Sequence, residues 1–164
     1  MSMQAGALVV TAVLLLSNSG WAGNGAIQVA MDVPYKDKTI IETKIVDECT
    51  QLGTKLGKYL NQYATKYGVK TQLVEEVDPK APGRVLVVEI TSAVSTGNAF
   101  IGHSKSMSAR AELFEDGVSK GLVNFSRSSG GGFMGQYKGS CSVLGRCSKA
   151  LGKDIAGWLR DRGE

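Results

Sequence analysis

Two helical stripes bracket a block of strands, and this arrangement constrains the chain most. Leu52, Leu56, Leu60, Tyr63 and Tyr67 fall on one face of a helix, with Lys55, Lys58, Gln62 and Lys66 away from its centre and Gly68 as a stop. Leu144, Cys147, Leu151, Ile155 and Trp158 repeat the pattern near the carboxy terminus, and Arg160 and Arg162 suit the negative end of that helix. Each helix has a single apolar face, so each must bury it against another layer.

The segments between and before them read as strands. Ala26 to Val33 alternates, and Val69 to Val77 forms a run ended by the turn-rich "DPKAPG". In "RVLVVEITSAVS", Arg84 to Ser95, both faces are apolar, as a central strand requires. Residues 96–105, "TGNAFIGHSK", read as a loop. Met107, Ala109, Ala111 and Leu113 alternate with polar residues, and "EDG", Glu115 to Gly117, turns that strand into Val118 to Arg127. Residues 34–48 stay open. Their β-branched content favours strand, while a Thr39–Glu42 capping box and the spacing of Ile41, Ile45 and Cys49 favour helix. The expected fold is α+β: a two-layer sandwich with an antiparallel sheet of four to five strands and two helices on one face.

Ala5 to Leu16 is an apolar run followed by Gly20-Trp21-Ala22, with small residues at the positions a signal peptidase reads. Residues 1–22 are therefore expected to be a signal peptide and 23–164 a single α+β domain, exported to the periplasm. The apolar run falls short of the roughly 20 residues that span a bilayer, and no transmembrane segment is expected in the mature chain.

Charge is uneven. Residues 23–126 carry 12 basic and 12 acidic side chains, whereas residues 127–164 carry seven basic and three acidic. A basic last helix suits an acidic partner, although such a helix is more often just a solvated face. An envelope protein or anionic polymer is the expected partner. Nucleic acid is not, because the basic segment has few aromatic residues.

"SRSSGGGFMGQYKGSCSVLGRC", Ser126 to Cys147, invites comparison with phosphate motifs. Gly130-Gly-Gly132-Phe-Met-Gly135 spells G-x-G-x-x-G, but the helix begins several residues late, no second strand pattern follows it, and the acid at the right offset, Asp154, lies within the helix. A P-loop fails as well, since Gln136 and Tyr137 stand where Lys and Ser or Thr belong. A looser anion site, built from Arg127, Lys138, Arg146 and loop N–H groups, is the alternative reading of this stretch. Phe133 and Tyr137 add apolar contact area. The candidate binding residues are thus Arg127, Phe133, Tyr137, Lys138 and Arg146.

Export permits disulfides. Cys141–Cys147 is the expected bridge, and Cys49 stays open as a buried thiol, a partner of either other cysteine or an intermolecular link. In one continuous helix Cys141 and Cys147 would stand about 9 Å apart, beyond the roughly 7 Å a bridge allows. Their pairing thus requires the helix to start near residues 144–146, with Gly145 helping the chain bend. No metal or cofactor is expected: the cysteine spacing is not that of a zinc site, and His103 is the sole histidine. No catalytic residue is assigned. A hydrolase dependent on His103 is the alternative from another class, but Ser104 points to the opposite face of a strand and no G-x-S-x-G is present. Glu75-Glu76 and Glu115-Asp116 read as turn residues.

"SAVSTGNAFIGHSKSMSARAELFEDG" and "SGGGFMGQYKGSCSVLGRCSKALGKDIAGWL" resemble a family of small exported proteins of unknown function from Gram-negative bacteria. The resemblance implies a periplasmic address and brings no catalytic residues. The order of elements is similar to that of small α/β envelope domains, such as the amino-terminal domain of the Tol-system β-propeller protein and outer-membrane assembly lipoproteins, an analogy of fold alone.

Overall fold

The computed structural model describes residues 25–98, 102–129 and 139–164. The signal peptide expected over 1–22 lies outside the described residues. Five strands form one sheet in the order β2-β1-β3-β4-β5: β1 (Ile27–Ala30), β2 (Thr71–Val74), β3 (Arg84–Asn98), β4 (Gly102–Glu115) and β5 (Val118–Ser129). Two long helices, α2 (Leu52–Lys66) and α3 (Ser140–Asp161), cover one face. This is the expected α+β two-layer sandwich.

The sheet is mixed, which corrects the expectation of an antiparallel one. β1 runs parallel to both β2 and β3, and only β3–β4 and β4–β5 are antiparallel. Periodicity reveals which face a residue occupies but not which way the strand runs. The direction comes from the connection: a helix between two strands returns the chain to its starting end, so β1 and β2, joined through α2, lie parallel.

Residues 34–48 resolve into short helical pieces, a 3-10 turn over Lys38–Ile40 and α1 over Thr43–Glu48. Asp37 caps the first through its bond to the Thr39 N–H. Thr39 therefore does not open an α-helix with Glu42. Residues 96–105 are mostly strand instead of loop. Asn98 pairs with Gly102, so β3 and β4 form a long hairpin. The opposite hairpin turns through Asp116 and Gly117, both at positive φ (50° and 80°), as a two-residue connection demands.

α2 and α3 run parallel. Ser148 bonds the Leu52 carbonyl, Gly152 abuts the backbone at Tyr59 and Leu60, and Arg160 lies over Tyr67. A Cβ at Gly152 would come within 2.7 Å of the Leu60 nitrogen, so only glycine allows this approach. Leu52, Leu56, Leu60, Leu144, Leu151 and Ile155 meet Leu86, Val88, Ile90, Met107, Ala109 and Leu113 in one core. The other face of the β3–β5 sheet carries Ser108 and Ser126 in a hydroxyl pair and Glu112 held by Ser119 and Arg110.

Candidate functional site

Side chains of different chemistry gather at the two ends of the parallel helix pair. At the carboxy-terminal end, α3 lies against β5 and leaves a groove of about 520 Å³ lined by Tyr67, Val123, Phe125, Lys153, Trp158 and Arg162, among others. The apolar residues come from three elements, so only the packing of α2, α3 and β5 assembles them. Guanidinium groups cover the rings: Arg160 stands 4.7 Å from the Tyr67 centroid and Arg162 stands 5.0 Å from that of Trp158. Arg162 also donates to the Lys120 carbonyl at 2.7 Å, and Arg160 bonds Asp161. Lys153 is exposed on the rim.

Arg127 points toward α3 and forms a two-pronged pair with Asp154, Nε to Oδ2 at 2.5 Å and a terminal nitrogen to Oδ1 at 2.7 Å. The Asp154 bond, and after it the Asp154 charge, raises the Arg127 pKa further. Arg127 is thus engaged by an acid of its own chain. Arg146 lies eight residues before Asp154 on α3, about 12 Å along the axis, so the structure does not bring Arg127 and Arg146 together. Phe133, Tyr137 and Lys138 lie outside the described residues. So does the side chain of His103, whose backbone pairs with Gly97.

At the amino-terminal end, Cys49 and Cys141 form a disulfide with Cα atoms 5.1 Å apart. This corrects the expected Cys141–Cys147 bridge. α3 runs unbroken from Ser140 to Asp161, so Cys141 and Cys147 belong to one continuous helix and cannot meet. Gly145 is helical and lies beneath the Lys55 side chain instead of bending the chain. Cys147 is a free, buried thiol whose pKa is raised by desolvation, with its Sγ directed to the Lys105 carbonyl. The bridge suits an oxidising compartment.

Neither α2 nor α3 has a side-chain cap or an acidic residue in its first turn. α2 begins beside Ser148, eight residues into α3, so the two helix starts are offset by about 12 Å along the α3 axis. Lys105 of β4 is 6% exposed, and its carbonyl faces the Cys147 thiol of α3. It belongs to the helix-facing row of β4 with Met107, Ala109 and Leu113, and Ser95 and Ser129 are its cross-strand neighbours. The Ser95 hydroxyl meets that of Ser140 at 2.9 Å. Sequence reading missed Lys105, yet its signal is visible: the inward alternation of Leu113, Ala111, Ala109 and Met107, continued two residues back, lands on it.

Two further hollows flank these regions. One of about 200 Å³ surrounds the disulfide and is lined by Glu48, Gln51 and Lys55. Another, of about 530 Å³, gathers Asp32, Glu75, Glu76 and Glu89 beside Pro34 and Val77. Among the described residues no cluster of His, Cys, Asp and Glu is arranged to hold a metal, and no helix is long and apolar enough to cross a membrane.

No protein-family model and no curated protein matches the chain. Solved structures similar to it include the PelC dodecamer from Paraburkholderia phytofirmans, at 12% identity over 80% of this chain and 93% of that one, with a TM-score of 0.48. A minor lipoprotein from Acinetobacter baumannii is similar at 15% identity over 79% and 92%, with a TM-score of 0.45. A hypothetical protein from Chlamydia trachomatis is similar at 13% identity over 82% and 98%, with a TM-score of 0.44.

Proposed function

We propose that the chain is a non-catalytic module of the bacterial envelope, exported to the periplasm, which binds an anionic cell-surface polymer along the groove between β5 and α3. The observation that carries this reading is the pairing of flat apolar surface with cations in one concavity. Tyr67, Phe125 and Trp158 are half-buried there, and Lys153, Arg160 and Arg162 stand on the same lining with Asp154 and Asp161, which pair with Arg127 and Arg160. A sugar ring can stack on an aromatic face while its acidic group meets a guanidinium. Arg160 and Arg162 already lie over the rings they would share with such a ligand. The intrachain disulfide agrees with an oxidising address.

Affinity electrophoresis in gels containing alginate, a polyuronate, or dextran, its neutral counterpart, tests the proposal. Alginate is expected to retard the protein and dextran to leave it unaffected. The Arg160→Ala/Arg162→Ala variant should bind alginate about tenfold more weakly, the scale of one lost charge-assisted contact. Equal retardation by both polymers, or an unaltered double variant, would exclude the groove as a polyanion site.

A further inference from the structure

On the reading that the β5–α3 groove is a polymer site, we infer that Arg162 selects its ligand: a polyuronate, whose carboxylates are bonded directly to the sugar rings.

Three cations line the groove, and they are not equivalent. Arg160 is held by Asp161, its neighbour in sequence. Lys153 is an exposed ammonium, a point charge with no planar edge. Arg162 is fixed without an acid. Its guanidinium lies over Trp158, 5.0 Å from the ring centroid, and one terminal nitrogen donates to the Lys120 carbonyl at 2.7 Å. Gly121 closes against the same group. A Cβ there would stand 2.8 and 3.3 Å from the two terminal nitrogens and 3.1 Å from the carbon between them. Distances so nearly equal place Gly121 over the face of the guanidinium, and any side chain at this position would push the group off its carbonyl. The backbone carrying Arg162 is tied as well: its N–H bonds the Leu159 carbonyl at 3.1 Å, and Glu164 pairs with Arg84. Arg162 is thus positioned in advance, and its other side-chain N–H groups meet no acceptor among the described residues.

The edge of a guanidinium offers parallel N–H groups to both oxygens of a carboxylate in one plane. A uronate carboxylate is one bond from its sugar ring, so the ring can settle on the aromatic surface of Trp158 and Phe125 while the charge stays on Arg162. Charge density alone gains little here. Asp154 and Asp161 share the lining with the three cations and leave it only weakly basic. A densely sulfated chain brings its charges against those carboxylates, and like charges at close range repel. Its tetrahedral groups also stand one ester oxygen further from the ring. One carboxylate per sugar, met by one oriented guanidinium, suits this groove better.

The test uses the full oxidised chain in affinity gels containing polygalacturonate, its methyl ester or dextran sulfate, at one ionic strength. Polygalacturonate should retard the protein, dextran sulfate should do so about tenfold more weakly, and the neutral methyl ester should leave it unaffected. Arg162→Lys keeps the charge and loses the flat edge, so it should weaken polygalacturonate binding about tenfold and leave dextran sulfate binding unchanged. Arg160→Lys, at the cation already held by Asp161, should change either affinity less than twofold, about the scale of an exposed pair. Gly121→Ala leaves every cation in place but displaces the Arg162 guanidinium, and should mimic Arg162→Lys with an unaltered thermal melt. Dextran sulfate bound as tightly as polygalacturonate, or Arg162→Lys binding like the parent, would overturn selection by Arg162 while leaving the groove a polyanion site. Retardation by neither anionic polymer, or equal retardation by the methyl ester, would overturn the groove as an anion site as well.

Discussion

The two ends of the helical layer are held in different ways, one by ion pairs and ring contacts and the other by a disulfide. At the carboxy-terminal end the cations are numerous: Arg127, Arg160 and Arg84 meet Asp154, Asp161 and Glu164, while Arg162 lies over Trp158 and bonds a carbonyl and Lys153 is exposed. At the amino-terminal end formal charges are fewer and the main tie is covalent, the Cys49–Cys141 bridge that joins the start of α3 to the chain entering α2. The basic count of a segment thus overstates its positive potential where cations such as Arg127 and Arg160 are paired within the chain. Where that potential remains depends on which cations their own chain has already neutralised.

The disulfide is the most severe way to break this contrast. The bridge joins residues 92 apart in sequence, and by the chain-entropy argument such a loop is worth about 4 to 5 kcal/mol. Cys49→Ser/Cys141→Ser should lower stability by that order in chemical denaturation, with loss of the fixed turn at the amino-terminal end. A change below about 1 kcal/mol would mean that packing alone ties the start of α3 to the chain entering α2.

A smaller effect comes from Cys147. Burial raises its pKa in the folded state, whereas an exposed thiol titrates near about 8.5. The contribution is therefore fully present below the unfolded value and is lost as pH rises toward the folded one. Between about pH 8.5 and 9 the stability should fall by less than about 1 kcal/mol. Cys147→Ala should flatten that slope. Tyr35, also raised by desolvation and then by Asp32, acts in the same direction from a higher starting pKa, so it leaves this window to the thiol. Rapid labelling of native Cys147 by a maleimide at pH 7 would contradict its burial.

The smallest effect belongs to the carboxy-terminal end. Arg127 is about half exposed and Asp154 15% exposed. A double-mutant cycle on Arg127→Ala and Asp154→Ala should return about 0.5 kcal/mol of coupling, the scale of a solvent-screened pair. Asp154→Ala alone should strengthen alginate retardation, because it frees a cation beside the groove. Unchanged retardation would separate Arg127 from the proposed polymer path.

Much of the layer structure was legible in the sequence, because hydrophobic periodicity reports burial directly. Leu52, Leu56 and Leu60, Leu144, Leu151 and Ile155, and the Met107–Leu113 alternation all reached the core as read. Strand direction was not legible, because periodicity of two is the same whichever way a strand runs. The cysteine pairing was not legible either: Cys49 and Cys141 are remote in sequence and adjacent only because α2 and α3 pack parallel. Arg127 was singled out for its charge, but its partner Asp154 lies 27 residues away across the β5–α3 interface. Lys105 was passed over because the loop expected over residues 96–105 hid its place in the strand.

By itself the sequence determined the elements, the faces they bury and the two-layer class, since these follow from local spacing and the cost of exposing apolar surface. Tertiary structure alone decided which cysteines pair and which cations meet an acid of their own chain. That outcome depends on the parallel course of α2 and α3 and on the packing of α3 against β5, and both are set by contacts between residues far apart in the chain.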